Sequence, residues 1–587
     1  MISRGFVCIL LVLLTATLFA SGVGSSRRQR AGDEARWVEE TLKGLSLRER
    51  LGQMLMTPVQ VESVSGERLT ELKGQLTELG LGGVVVRGGS PRTVAALTNE
   101  LQRASRVPLF IGADYERGLR MQMSAGTPFV NNMGVAAAGD VRAAFEQGKI
   151  TAREARAVGV NWLFGPVADV NNNPDNPVIN VRSFGEDPRR VAEFVAAAVR
   201  GTRAGGALST AKHFPGHGDT AVDTHIGLAA IQADTARLSR LELVPFRAAI
   251  DAGVDAVMTA HVSVPKVTGD DVPASLSPKV TTELLRRELK FDGLVVTDSL
   301  GMGAITRGFP GGEAAVRAVL AGADVALTPP DLKASLDALE EAVKRGRITP
   351  ERVDESVRRI LHAKYRLGLA ASRTVNEDAV TQLVESPDSV IASRHVAENS
   401  VTLLRDEGGL VPLDAARAAR TVFVIVAADE DPEEGRTLVP EIKSRVNGAR
   451  VLRAGPKTGA EDYESLLAEA LQGEAVVIAT FVKRAAGKGT VALPEQQAEF
   501  VRRLIAAGKP VTVVAFSGPY LVRQFPKAPA MLVAYGIEDV AQAAAVRVLF
   551  GEVPARGRLP VSVPGLFEIG AGLQTKVKGE QHGAMNR

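Results

Sequence analysis

Lys212-His213-Phe214-Pro215-Gly216-His217-Gly218-Asp219-Thr220 runs on to Asp223-Thr224-His225 and follows the apolar run Gly206-Ala207-Leu208-Ser209-Thr210-Ala211. The apolar run predicts a short buried strand. Pro215, Gly216 and Gly218 make the residues after it a loop. A lysine, three imidazoles, Asp219 and Asp223 therefore gather just past one strand's C-terminal end. Groups held this close repel or pair, and either outcome shifts their pKa values. The chain has only 7 histidines, so three in one loop is more than a solvated turn requires.

Outward from this strand, strand-like and helix-like patterns alternate. Strands are predicted at 83–87, 108–113, 161–166, 207–212, 256–261, 294–298 and 323–327. Helical patterns lie at 93–103, 190–203, 237–251, 279–289, 313–320 and 332–345, and a long amphipathic helix at 350–367. Ser46-Leu47-Arg48-Glu49 has capping-box spacing and opens a further helical pattern over 51–56. Short buried strands each followed by a helix pair in parallel through crossovers. The expected fold class is α/β, with a TIM-like (β/α) barrel over 33–370. Seven strands leave closure open, and an open doubly wound sheet is the alternative. A polar linker is placed at 371–386, and strand and helix patterns resume over 387–568. This second region predicts a three-layer α/β/α sandwich. Residues 569–587 read as a frayed polar tail.

The 587 residues are 45% hydrophobic, enough for two cores. Charge is nearly balanced, with 70 Lys and Arg against 67 Asp and Glu. No basic run is interleaved with aromatics, so nucleic acid is not an expected partner. Residues 1–20 hold one charge, Arg4, ahead of an apolar run at 6–20 and small residues at 21–26. That layout is expected of a secretory signal peptide over 1–26, which places the body of the chain on the exported side. The alternative is an uncleaved anchor, although the run is short of the roughly 20 apolar residues that span a bilayer. It would be the one membrane contact. The single cysteine, Cys8, lies in that segment, so the mature chain would have no disulfide. Oligomeric state is left open.

In a parallel barrel the C-terminal strand ends face the active site. Successive ends here carry Asp114-Tyr115-Glu116-Arg117, then Asp169 with Arg182 beyond it, then Lys212-His213, then His261, then Asp298-Ser299. The strand bodies are apolar, and a purely structural barrel needs no such ring of charge. Asp298 closing Val295-Val296-Thr297 is a strand-end cap or a reacting group, and the company of the other ends favours reaction. Asp223 and His225 stand two residues apart. A carboxylate accepting from a ring nitrogen would fix the tautomer and make a proton shuttle; a surface Asp and His without contact is the bland alternative. His213, His217, His225, Asp219 and Asp223 also have metal-ligand chemistry. Pro215 and Gly216 interrupt the His-x3-His spacing, however, and no metal is assigned. His217 is better read as a ring that pins its loop.

Lys-His-Phe-Pro-Gly-His-Gly-Asp-Thr with Asp-x-His behind it resembles glycoside hydrolase family 3, in its β-N-acetylhexosaminidase branch. Asn176 to Pro188, Val296 to Met302 and Gly557 to Pro564 are similar to that family too. The resemblance implies a barrel followed by a sandwich and a retaining two-step mechanism without a cofactor. It implies Asp298 as nucleophile, His225 as acid/base and Asp223 as its dyad partner. Asp114, Arg182, Lys212, His213 and His261 would hold the terminal sugar of an oligosaccharide. The implied enzyme is an exo-acting β-N-acetylglucosaminidase, with β-glucosidase as its nearest rival and a non-cleaving sugar-binding protein as the rival of another class. Asp114-Tyr115-Glu116-Arg117-Gly118 stands where the family often has Asp-Gln-Glu-Gly-Gly, which alters the pocket edge.

Overall fold

The computed structural model describes residue 29 and residues 31–484 and 487–576. The expected signal segment and Cys8 lie outside the described residues. Among the described residues no helix is long and apolar enough to cross a membrane.

The first domain is built on parallel strands: β1 (Leu55–Gln60), β2 (Gly83–Arg87), β3 (Phe110–Ala113), β4 (Trp162–Leu163), β5 (Thr210–Phe214), β6 (Ala256–Thr259), β7 (Leu294–Thr297) and β8 (Ala326–Leu327). One curled sheet has the order β8-β1-β2-β3-β4, and a second has the order β5-β6-β7. Isolated parallel bridges, Trp162 with Leu208 and Val296 with Val325, join the edges of the two sheets. Helices such as Pro91–Ala104 and Pro188–Ala204 connect the strands. Each opens on a side-chain cap, Ser90 or Asp187, with proline in the first turn.

β1 corrects the expected helix over 51–56. The capping box at Ser46 and Glu49 forms, but its helix ends at Gln53 and the chain turns directly into a strand. Leu51, Met54, Leu55 and Met56 are all buried, and a short run buried throughout carries no period to separate helix from strand. The pattern at 237–251 resolves into two helices, Thr235–Arg240 and Val244–Asp251. The break turns Glu242 inward beneath Gly216.

The second domain has a six-stranded sheet of β9 (Thr402–Asp406), β10 (Thr421–Ala427), β11 (Arg450–Ala454), β12 (Ala475–Phe481), β13 (Val511–Phe516) and β14 (Ala530–Val533). Its order is β9-β14-β13-β12-β10-β11, and only β9 runs antiparallel. Phe423, Ile425, Val477 and Ala479 pack with Leu438, Ile442 and Val546 on one face. Val422, Val424, Val476 and Ile478 pack with Tyr463, Phe500 and Leu504 on the other. Helices thus cover both faces, as a central parallel sheet requires. The first of these clusters is continuous with the core of the first domain. Part of the predicted frayed tail is tied down: Gly570 donates to Leu559 O at 2.8 Å and Leu573 to Leu403 O at 2.6 Å.

Candidate active site

The C-terminal ends of the first domain's strands open into a cleft of about 1180 Å³. Asp114, Arg182, Lys212, His213, His225 and Asp298 all line it.

β5 supplies two neighbours to this mouth. Its register against β6 shifts between Lys212 and Phe214, a bulge that re-aims side chains which would otherwise alternate. The Lys212 ammonium, on a side chain only 2% exposed, reaches Asp114 Oδ1 and Glu116 Oε1, each at 2.8 Å. Arg182 donates to the same Glu116 through Nε at 2.9 Å and Nη2 at 2.6 Å. Burial alone would raise the Glu116 pKa, but Arg182 and Lys212 outweigh it and hold the carboxyl well below its usual range. Burial likewise disfavours the Lys212 charge, and Asp114 and Glu116 overcome it to raise the pKa. Glu116 is therefore the counter-ion that keeps two buried cations at the mouth. It stood in a quoted strand-end segment but was assigned no role.

Asp169 was overlooked in the same way. Its Oδ2 accepts from His213 Nδ1 at 2.7 Å, and its Oδ1 accepts the backbone N–H groups of His213 and His217 at 3.2 and 2.7 Å. With Nδ1 donating, His213 Nε2 is left to accept from Arg182 Nη2 at 3.3 Å. His217 is a brace, as expected. Its Nδ1 and Nε2 meet the Thr220 and Thr224 hydroxyls at 2.8 and 3.1 Å, and burial beside His213 takes its pKa down to about 4. Gly218 allows this loop to sit on its neighbour, because a Cβ there would lie 1.6 Å from Val170 O. Asp219 pairs with Arg237, which also reaches Glu242 at 3.1 Å. Among the described residues no group of three His, Cys, Asp or Glu is placed to hold a metal ion.

Asp298 follows β7, half-buried, with Oδ1 accepting the Ser299 N–H at 2.7 Å. Burial pushes its pKa up, but His213, His261, the Ser299 N–H and Lys212 outweigh burial and bring it down to about 2. The carboxylate is ionised and lines the cleft. His261 departs from the expectation of sugar contact. It is fully buried, meets Ser275 Oγ at 2.7 Å through Nδ1, and donates from Nε2 to Ser299 O at 2.9 Å. It braces the turn that carries Asp298.

Asp223 and His225 do pair. Asp223 Oδ1 accepts from His225 Nδ1 at 2.7 Å and from the His225 backbone N–H at 2.9 Å. Burial raises the Asp223 pKa, and these bonds with the Gly487 N–H reverse the shift to leave it lowered. The His225 side chain is 37% exposed, and its Nε2 bonds no described residue. The Asp298 turn crosses the same wall, for Ala304 N–H donates to Thr224 O at 3.3 Å. The second domain also reaches the cleft. Arg484 lines it without a hydrogen bond or ion pair to a described residue, and burial with the neighbouring Arg182 cation lowers its pKa to about 10. Gly487 donates its N–H to Asp223 Oδ2 at 2.8 Å across 264 positions of sequence.

Residues 46–363 match the family model for the glycosyl hydrolase family 3 N-terminal domain, and residues 401–580 match that for its C-terminal domain. The chain belongs to glycosyl hydrolase family 3. This family 3 enzyme is 30% identical over 546 residues to a β-N-acetylglucosaminidase/β-glucosidase of Cellulomonas fimi, covering 90% of this chain and 96% of the relative. A solved family 3 β-N-acetylglucosaminidase from Paenibacillus sp. str. FPU-7 superposes with a TM-score of 0.78 at 34% identity, covering 88% of this chain and 99% of that one. The β-glucoside phosphorylase BglX bound to 2FGlc superposes with a TM-score of 0.82 at 27% identity, covering 91% and 97%. The enzyme is a glycoside hydrolase.

Proposed function

We propose that the protein is an exported, retaining exo-β-N-acetylglucosaminidase, with cell-wall or chitin-derived oligosaccharides as its substrates. Export rests on the charge and apolar pattern of residues 1–26. The catalytic domain is read as a closed eight-stranded barrel, supported by the bridging pairs at its two seams.

The observation that carries the reading is one ionised carboxylate, Asp298, sharing a cleft with an aspartate-backed imidazole whose Nε2 bonds no described residue. A retaining glycosidase needs a nucleophile on one face of the anomeric carbon and a proton carrier beside the leaving oxygen. Asp298 attacks that carbon, an Asp298–sugar ester bond forms and the glycosidic C–O bond breaks. His225 Nε2–H passes its proton to the departing oxygen, with Asp223 stabilising the imidazolium through Nδ1. Water then enters, His225 takes its proton, and the ester opens to free sugar and the Asp298 carboxylate. Asp114, Arg182, Lys212 and His213 grip the terminal sugar's hydroxyls, their cations held in place by Glu116. The names of the Cellulomonas and Paenibacillus relatives support N-acetylglucosamine as that sugar.

Turnover of β-glucosides is the second reading, favoured by the double name of the Cellulomonas relative. Comparing kcat/KM for nitrophenyl N-acetylglucosaminide and nitrophenyl glucoside decides between them. A clear preference for the N-acetylated sugar is expected. Equal or faster glucoside turnover would overturn the choice.

A further inference from the structure

Asp223 belongs to the first domain, yet its hydrogen bonds are completed by the second. Oδ1 takes both of its donors from His225. Oδ2 takes the Gly487 N–H at 2.8 Å. The Asp223 side chain is only 2% exposed, and a buried carboxylate oxygen without a donor is costly. Gly487 makes this approach with φ +77° and open space where a Cβ would lie, a backbone state that glycine adopts readily.

The donor is itself anchored. Lys488, its neighbour, holds Asp429 through both carboxylate oxygens at 2.8 and 2.6 Å. Lys483 holds Asp431 at 2.5 Å. Asp429 and Asp431 follow β10, whereas Lys483 follows β12, the strand beside it. Two ion pairs across adjacent strand ends therefore fix the segment that touches Asp223. Val222 and Ile226 on either side of the dyad are 47% and 46% exposed, so apolar burial ties this loop only in part. The loop is also held at Thr224 by His217 Nε2 and the Ala304 N–H, by the Arg237–Asp219 pair and, beyond the dyad, by Ala229–Ala230 pairing in parallel with Val262–Ser263; none of these reaches Asp223 Oδ2, which takes the Gly487 N–H.

We propose that the second domain positions the proton carrier of the first: the Gly487 N–H, anchored by the Lys488–Asp429 pair, sets the orientation of Asp223 and through it the reach of His225. This rests on the reading of His225 and Asp223 as the acid/base dyad. Gly487 and Lys488 are positioning residues, because neither touches the reacting atoms. Misplacing a catalytic group by about 1 Å costs about 100-fold in rate, so loosening the anchor acts where a proton must be delivered and spares steps that need none.

The test compares kcat/KM on two N-acetylglucosaminides, a dinitrophenyl glycoside whose leaving group needs no proton and a disaccharide whose leaving group does. Lys488→Met is expected to lower the disaccharide value about ten-fold, a fraction of what general acid catalysis contributes, and to leave the dinitrophenyl value unchanged. Lys488→Arg restores the disaccharide value, and Asp429→Asn repeats the selective loss. An equal fall on both substrates, or no fall on the disaccharide, overturns the proposal. His225→Ala is run beside them. If it shows the selective loss and Lys488→Met does not, the positioning role alone falls. If His225→Ala loses nothing selectively, the dyad reading fails and the positioning role falls with it.

Discussion

The two domains both gather charge at the C-terminal ends of parallel strands, and they treat a buried carboxyl in opposite ways. Asp298 in the first domain has two imidazoles, a backbone N–H and the Lys212 ammonium around it, and its pKa is brought down to about 2. Glu434 in the second domain is buried with neither oxygen hydrogen-bonded. Its pKa is pushed up to about 8, first by burial and then by the nearby Asp429 and Asp431 charges. Topology supplies a place to collect charge, and the sign of the neighbours decides what a carboxyl there becomes. Surrounded by donors it stands ionised. Buried beside two acids it is pushed up despite the Arg453 guanidinium 3.9 Å away, and Lys488 and Lys483 pair with those acids on either side of Gly487.

The largest effect that would sharpen this contrast is at Asp298. Asp298→Ala is expected to lower kcat on the dinitrophenyl glycoside by about four orders of magnitude or more, the scale of removing a covalent nucleophile, with circular dichroism unchanged. His225→Ala should lower kcat/KM on the disaccharide by about 100-fold or more, within the range of general acid catalysis. Glu116→Gln comes next and acts on both stability and binding. It strips two buried cations of their shared counter-ion, which costs about 3–5 kcal/mol when a buried pair is broken. A lowered denaturation midpoint and a raised KM are both expected, and a variant as stable as the parent would break the view that Glu116 holds the mouth together.

The smallest effect lies in the second domain. The Glu434 pKa is raised in the folded state, so the unfolded chain gives up this proton first and stability falls as pH rises from the ordinary carboxylate range to about 8. Glu434→Gln removes that fall. Its Tm should exceed the parent's by about 2–4 °C at pH 8 and match it near pH 4. A Tm difference independent of pH would contradict the assignment of a buried, protonated acid.

Much of the cleft was legible because its signals are local. Lys212, His213, Asp223 and His225 lie within fourteen positions of one another, and Asp114 and Asp298 sit where apolar strand runs end. β1 was not legible, since Leu55 and Met56 are buried on both faces and carry no period. His261 looked like another strand-end contact, but burial placed it behind Asp298. Glu116 and Asp169 were visible as residues and not as roles, because a counter-ion is defined by what packs against it. The Gly487–Asp223 bond had no sequence signal at all. A backbone donor 264 positions away is brought to Asp223 only by the packing of the second domain against the first.

The central claim is that Asp298 carries the sugar covalently while His225 handles the proton. Incubating the protein with a 5-fluoro N-acetylglucosaminide, digesting it and mapping the modified peptide tests this directly. A single sugar ester on Asp298 is the predicted result, formed in the His225→Ala variant as well when the anomeric group displaced from the 5-fluoro sugar leaves without protonation. A label on any other residue, or unlabelled protein that goes on turning over substrate through Asp298→Ala, would contradict the account.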